Sequence, residues 1–315
     1  MKTIILNETG GVDKLQLTDT QKPQIKSNEV LVKVKAISIN PVDVNARAYD
    51  HVLNWIYGDI RPVILGWDIA GEVSEIGEEV TGFKVGDRVF GMVNFFGNGK
   101  AYAEYTAAPA SHLALIPEHY TFEEAAAATL AAVTAYQALV DVAKIKKNDR
   151  VLIHAASGGV GHFAVQIAKY FGAYVLGTSS ANNKQFVLSI GADEHIDYTQ
   201  KHSLDIAGDI DIVIDTIQGE TLLNSIDVVR SGGIIVTLPS PEIPQNIQDK
   251  AGKQNVNIEF MMVASKKETI QAIAGLLENK SLIPHIHQTF PFEEIPKAHL
   301  EMETKRVVGK IVVTL

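Results

Sequence analysis

The sequence predicts an α/β protein in two parts, a β-rich first part followed by a doubly wound parallel sheet. Three observations predict it. The first third carries short apolar stretches separated by glycines at positions 77, 82, 86, 97 and 99, the punctuation of strands joined by turns. From Val151 onward, continuous apolar runs alternate with amphipathic helical segments, as strands covered on both faces by helices do. Between the two lies VLIHAASGGVGHFAVQIA, residues 151–168, a glycine-rich turn joining a strand to a helix. At 315 residues the chain is long enough for two domains of ordinary size.

The elements follow in order. In residues 30–36, Val30, Val32, Val34 and Ala36 share one face while Lys33 and Lys35 take the other, the two-residue period of a half-buried strand. Further strands are expected at 3–6, 70–76, 88–93 and 101–107. Thr121 followed by Glu124 has capping-box spacing, and an alanine-rich helix is expected from there to about Val142. After it come the strands VLIHA, AYVLGTS, 194–196, DIVIDT and GGIIVTL, with helices between them. The segment PSPEIPQNIQDKAGKQN from Pro239 reads as a loop. A strand at 256–263, a helix at 266–279, another helix after Pro291, and VVGKIVVTL as a closing strand complete the chain.

Composition narrows the function. Hydrophobic residues make up 46% and charged residues 21%, which suits a packed globular protein. A formal net charge of -9 opposes binding to nucleic acid or an anionic membrane. There are no cysteines, so disulfides and thiolate metal sites are excluded, and a reducing, cytoplasmic setting is expected. The N-terminal MKTIILNETGG has too short an apolar run for a signal peptide. The most apolar long window, starting at Ala125, is shorter than a membrane span and reads as a buried helix.

The 151–168 segment supplies what a phosphate cradle needs: a strand ending in a tight turn, and a helix whose positive end faces the same anion. In the G-x-G-x-x-G register the three positions are Ala156, Gly158 and Gly161, so alanine replaces the first glycine. A structural glycine turn is the alternative, but the run of strand and helix units that begins here favours dinucleotide binding. A ribose with two free hydroxyls is usually met by Asp or Glu about 20 residues past the loop. Here the second strand ends in Thr178-Ser179-Ser180 and Lys184 follows, so no carboxylate repels a 2′-phosphate and a cation is at hand. NADPH is therefore favoured as cofactor, with Lys184 as a solvated helix residue the competing reading.

The motifs AASGGVG, ILGWDIAGEV from Ile64, VTGFKVGDRVFG from Val80, GKAYAEYTAAPAS from Gly99, GADEHIDY from Gly191 and the terminal GKIVV resemble the zinc-independent medium-chain dehydrogenases/reductases, in the quinone oxidoreductase-like group. The resemblance runs along essentially the whole chain. It implies a GroES-like catalytic domain at 1–124 completed by 266–315, with a Rossmann NADP-binding domain at 125–265 inserted between. It also implies that Ser157, Gly158, Gly159 and Val160 cradle the pyrophosphate, and that Ser180, Lys184 and Tyr198 meet the 2′-phosphate, beside Ser179. Thr134 is placed near the nicotinamide ribose and the backbone around Leu238–Ser240 near the carboxamide. Family members are commonly dimers, so a homodimer is expected.

Zinc-dependent relatives carry a Cys ligand and a Gly-His-Glu motif; this chain has Asp43 in the first region and Gly66-Trp67-Asp68 in the second. His285 and His287 read as one face of a solvated strand, and no metal is expected. Without a Lewis acid, a quinone or an α,β-unsaturated carbonyl is the easier acceptor, because it spreads the developing charge into a phenolate or enolate. In NPVDVNAR, Asn40, Asp43 and Arg47 are candidates for the substrate cleft, and Asn40 and Asp43 for catalysis; Pro41 and Asp43 equally suit the first turn of a helix. Tyr49 and Tyr57 are candidate proton donors, and Trp67, Phe95 and Phe96 candidate pocket walls. The expected activity is an NADPH-dependent reductase of quinones or enones. An enoyl-thioester reductase or a non-catalytic NADPH-binding redox sensor are the alternatives.

Overall fold

The computed structural model describes residues 1–200 and 209–315, folded as two compact units. The first comprises Met1–Val133, Val263–Lys280 and Pro284–Leu315; the second comprises Thr134–Met262 and Ser281–Ile283. Against the expected limits, the first boundary falls nine residues later than 124, and residues 281–283 belong to the second unit.

In the first unit the long strand Glu29–Ile39 is the spine of a seven-stranded sheet. It pairs antiparallel with Asp68–Ile76, with Tyr105–Pro109 and with the terminal strand Lys310–Thr314, which sets Ile311 beside Ile39 and Val313 beside Ile37. The chain end thus returns to complete the sheet that its beginning started. Strand Ile286–Pro291 adds in parallel beyond it. The strand expected at 101–107 forms only from Tyr105, because the amides of Ala101 and Tyr102 are drawn to the carbonyls of Gly66 and Leu65 (3.1 and 3.0 Å).

The alanine-rich helix is interrupted. Helix Phe122–Ala127 starts on the capping box, with the Glu124 amide donating to Thr121 Oγ1 at 3.2 Å and the Thr121 amide to Glu124 Oε2 at 2.8 Å. A second helix, Leu130–Tyr136, then begins afresh and passes into a π-helical turn over Gln137–Val142. The break has a cause outside the helix: the Leu130 amide donates to Asp68 Oδ1 at 3.0 Å, and Thr129 Oγ1 donates back to the Ala126 carbonyl at 2.6 Å.

The second unit holds a six-stranded parallel sheet in the order Glu194–Asp197, Tyr174–Ser179, Arg150–Ile153, Ile210–Asp215, Val229–Thr237, Asn257–Phe260. Numbered along the unit this is 3-2-1-4-5-6, the order that reverses direction between the first and fourth strands. Leu152, Leu176, Val213, Leu222, Ile226 and Ile235 are among the residues that fill its core. The segment read as a loop after Pro239 contains a helix, Gln245–Gln254, whose Ile247 and Ala251, one turn apart, are buried in that core. Its other residues are so polar that no apolar stripe marked it in the sequence. Among the described residues no helix is long and apolar enough to cross a membrane.

Candidate active site

The second unit builds a cradle at the point where its strand order reverses. Strand Arg150–Ile153 ends in a turn whose Ala155 takes a left-handed φ of 48°, closed by the Gly158 amide on the Ala155 carbonyl at 2.8 Å. Gly158 is then the N-cap of helix Gly159–Tyr170 and has no side chain with which to cap it. The helix's first-turn amides are thereby left for an anion. A Cβ on Gly161 would lie 2.1 Å from the Ala155 carbonyl oxygen, so glycine alone lets the first turn press on the loop. Ala156 stands where a first glycine is usual, yet the left-handed residue is its neighbour Ala155, so position 156 itself does not require glycine.

Buried polar side chains that the motif did not reveal lock this turn. His154 Nδ1 meets Thr178 Oγ1 at 3.2 Å and its Nε2 meets Ser225 Oγ at 2.8 Å, while Thr178 Oγ1 also accepts the Ala155 amide at 3.3 Å. Burial pushes the His154 pKa down to about 4 despite nearby Asp215, so the ring is neutral. Asp215 ends its strand with Oδ1 accepting the Ile217 and Gln218 amides (both 3.0 Å) and Oδ2 accepting Thr237 Oγ1 (2.8 Å). The Leu238 amide donates to the Asp215 carbonyl at 3.0 Å, and Ser240 Oγ accepts the Glu242 amide at 3.1 Å. Thr134 is buried on the Leu130–Tyr136 helix.

At the end of the second strand, Ser179 is buried and its hydroxyl is engaged by the Ser180 carbonyl (3.1 Å) and His195 Nε2 (2.8 Å). Ser180 is half-buried, Lys184 is exposed at the start of helix Lys184–Ser189, and Tyr198 is 61% exposed. Asn183 Nδ2 donates to Ser157 Oγ at 3.1 Å, tying this edge to the glycine loop. The set fits a dinucleotide: a helix start open to a pyrophosphate, and hydroxyl, amide and ammonium groups, with no carboxylate, on the residues that follow the second strand.

In the first unit, Asn40 and Asp43 are enclosed where the sequence suggested groups lining a cleft. The Asn40 amide donates to Asp43 Oδ2 at 2.7 Å, fixing the start of helix Pro41–Ala48. Asn40 Nδ2 donates to Asp68 Oδ2 at 2.8 Å, and Lys310 Nζ donates to Asn40 Oδ1 at 2.6 Å and to the Ile39 carbonyl at 3.2 Å. Asn40 is 1% exposed and Asp43 and Asp68 are 0% exposed, and among the described residues Asp43 Oδ1 has no hydrogen-bond partner. Burial, with the Asp68 charge adding to it, lifts the Asp43 pKa to about 8 against the opposing Asn40 hydrogen bond and Lys310 charge; burial also raises Asp68 and lowers Lys310. Arg47 is buried as well and pairs with Glu303. Tyr102 meets His299 Nε2 at 2.9 Å, and burial together with the Arg47 charge holds the His299 pKa down to about 3.

Beside this network stands a run of aromatic rings. Trp67 is fully buried, donates Nε1–H to the Gly97 carbonyl at 2.6 Å, and stacks with Tyr57 at 6.2 Å. Phe95 meets Trp67 edge-on at 5.1 Å, Phe96 meets Phe95 at 5.8 Å, and Trp55 lies 4.4 Å from Phe96. Ser265 holds the Phe95 backbone from both sides, its amide on the Phe95 carbonyl at 2.9 Å and its Oγ accepting the Phe95 amide at 3.0 Å. Tyr57 is 5% exposed, and among the described residues its hydroxyl has no hydrogen-bond partner. Burial, with the Asp43 charge adding to it, raises its pKa and keeps the hydroxyl protonated. Tyr49 instead is 54% exposed, with its ring near His51, outside this cluster.

A GroES-like sheet completed by the chain end, joined to a six-stranded Rossmann sheet with an open anion cradle, defines a nicotinamide-dependent oxidoreductase. The sequence matches the family described as "Alcohol dehydrogenase GroES-like domain" over residues 26–118 and "Zinc-binding dehydrogenase" over residues 190–313. It is 33% identical to a 2-methylene-furan-3-one reductase of Solanum lycopersicum, over 99% of this chain and 79% of the relative. The structure of the quinone oxidoreductase from Coxiella burnetii superposes with a TM-score of 0.91 at 33% identity, over 100% of this chain and 99% of that one. The Escherichia coli quinone oxidoreductase complexed with NADPH gives a TM-score of 0.88 at 25% identity, over 100% of both chains. The chain belongs to the medium-chain dehydrogenases/reductases, in the quinone oxidoreductase-like group.

Proposed function

We propose that the protein is an NADPH-dependent reductase that transfers hydride to a quinone or an α,β-unsaturated carbonyl without a metal. The observation that carries this reading is Trp67, which stands at the position of a zinc ligand in the metal-dependent relatives. Here that side chain is a buried indole, hydrogen-bonded to Gly97, stacked with Tyr57 and met edge-on by Phe95. Ring faces and one protonated hydroxyl suit a flat, conjugated acceptor whose developing charge is spread over several atoms.

Bound NADPH would supply the hydride. The remaining work falls to the chain's own residues. The amides at the start of helix Gly159–Tyr170, with Ser157, would hold the pyrophosphate, and Ser180, Lys184 and Tyr198 would hold the 2′-phosphate. His154 and Asp215 keep the two neighbouring turns in shape. Tyr57 is the group in this unit best able to donate a hydrogen bond to an acceptor's carbonyl oxygen as it gains charge. Asn40 and Asp43 act as positioning residues behind it, Asn40 through its bonds to Asp68 and Lys310 and Asp43 through Oδ2 on the Asn40 amide. The names of similar proteins, a furanone reductase and quinone oxidoreductases, agree with an acceptor of this class.

The test is NADPH oxidation with a panel of quinones, conjugated enones, an acyl thioester and saturated ketones. Quinones or enones should give the highest kcat/KM. Faster turnover of the thioester would favour an enoyl-thioester reductase, and faster turnover of saturated ketones would overturn the metal-free argument. Binding of NADPH without any turnover would leave a sensor.

A further inference from the structure

His195 lies on the edge strand of the second unit, in register with Gly177, while its strand neighbour Asp197 faces Ser179. Its Nε2 is 2.8 Å from Ser179 Oγ, and that hydroxyl is also 3.1 Å from the Ser180 carbonyl. The ring therefore sits at the carboxyl end of the second strand, where a Rossmann sheet meets the adenosine ribose. It is half-buried and close enough to Lys184 to feel that charge.

We propose that His195 is a second binding group for the cofactor's 2′-phosphate, taking up a proton as the phosphate binds, so that preference for NADPH over NADH rises toward acid pH. This rests on the NADPH reading above. The charges around the ring support it. Burial and the Lys184 ammonium lower the His195 pKa from its ordinary value, opposed by Asp197 and the Ser180 carbonyl. Asp197 is itself engaged by the Thr199 amide (3.0 Å) and hydroxyl (2.8 Å) and by Gln200 Nε2 (3.3 Å). Glu194 is turned to the Tyr174 hydroxyl at 2.7 Å, and Asp193 pairs with Lys169 at 2.8 Å. His195 and Lys184 are thus within electrostatic reach of each other, and without an anion beside them burial and the Lys184 charge disfavour protonation of the ring. A phosphate dianion reverses the balance, because an opposite charge within a few ångströms favours the protonated imidazole.

The sign of proton exchange separates this from titration of the phosphate itself. A phosphate monoester with a second pKa near 6 can only release protons when cations bind it, and at pH 7 no more than about a tenth of one. A histidine moving from below to above the working pH takes protons up, here roughly 0.3–0.9 of one. Titration calorimetry of NADP⁺ and NAD⁺ with the whole protein at pH 7, in two buffers of different ionisation heat, reads this directly. Uptake is expected for NADP⁺ and not for NAD⁺. Between pH 8 and pH 6 the NADP⁺/NAD⁺ affinity ratio should rise about five- to twentyfold, and His195→Gln should abolish both the uptake and the rise.

Uptake unchanged in His195→Gln, or none in the wild type, would overturn the role of His195 while leaving NADPH preference standing. Equal affinity for NADP⁺ and NAD⁺ across that range would overturn the NADPH reading and this inference together. The wild-type measurement decides the matter even if the variant fails to fold.

Discussion

Two side chains carry most of the proposed chemistry. Tyr57 keeps its proton because its hydroxyl is buried near Asp43, and among the described residues that hydroxyl has no hydrogen-bond partner, which is why it is proposed as the donor to an acceptor oxygen. Tyr57→Phe keeps the stack on Trp67 and removes only the hydroxyl. It should lower kcat/KM for the best quinone or enone about ten- to a hundredfold, as expected for loss of a hydrogen bond to a group gaining charge. An unchanged kcat/KM would move proton donation to water. Lys184 is exposed and can be removed without disturbing a core. Lys184→Ala should weaken NADPH binding about ten- to a hundredfold and leave NADH nearly unaltered, read as the dissociation constants of both cofactors. Both residues were readable in the sequence as residue types. Their environments were not, because burial beside Asp43 and the approach of His195 depend on how separate elements pack against one another.

At the scale of elements, the glycine-loop helix and the interrupted alanine helix show how side chains set backbone. Gly161→Ala would push a methyl into the Ala155 carbonyl, so the loop must shift. The variant should lose about 1–3 kcal/mol of stability, measured by urea unfolding, and bind both dinucleotides more weakly, since the pyrophosphate cradle moves with the loop. Lys310 plays the comparable part in the first unit, where it is the cation between Asp43, Asp68 and Asn40. Lys310→Met leaves two buried carboxyl groups without it and should cost on the order of 3–5 kcal/mol. A loss below about 1 kcal/mol would show that the two carboxyls settle their charge by protonation alone. The glycine loop was legible because strand, turn and helix signals are contiguous. The helix break at Ala128–Thr129 was not, since its cause is Asp68, some sixty residues earlier.

At the scale of the whole molecule, buried titratable groups fix how stability varies with pH. His154 has a folded pKa of about 4 and His299 of about 3, both below the ordinary value near 6.5. Each therefore stabilises fully above about pH 6.5, and the contribution is lost as pH falls toward those folded values, because the unfolded chain binds the extra proton. For His154 the amount is roughly 3 kcal/mol. Asp43, raised to about 8, works in the opposite sense: its contribution is complete below about pH 4 and is lost as pH rises through 8. Thermal unfolding followed from pH 4 to 8.5 should show the second unit gaining stability up to about pH 6.5. The first unit should decline above that pH, and Asp43→Asn should flatten the decline. A first unit equally stable at pH 6.5 and 8.5 in the wild type would show that Asp43 is ionised throughout.

The sequence by itself determined the two-part architecture, the parallel sheet, the dinucleotide loop and the family. Those features are written in contiguous patterns: period-two and continuous apolar runs, glycine spacing, and motifs such as ILGWDIAGEV. Tertiary structure decided which polar residues are free to act. Asn40 and Asp43 looked like cleft residues from NPVDVNAR, but Asn40's side chain is held by Lys310 from the chain end and Asp68 from the next strand, and Asp43 is buried with Oδ2 on the Asn40 amide. Ser179 is a candidate cofactor ligand from its place at the end of the second strand, and the fold sets His195 against its hydroxyl. A hydrogen bond made by one side chain is withdrawn from every other partner, and which partner wins is settled only when segments tens or hundreds of residues apart are packed together.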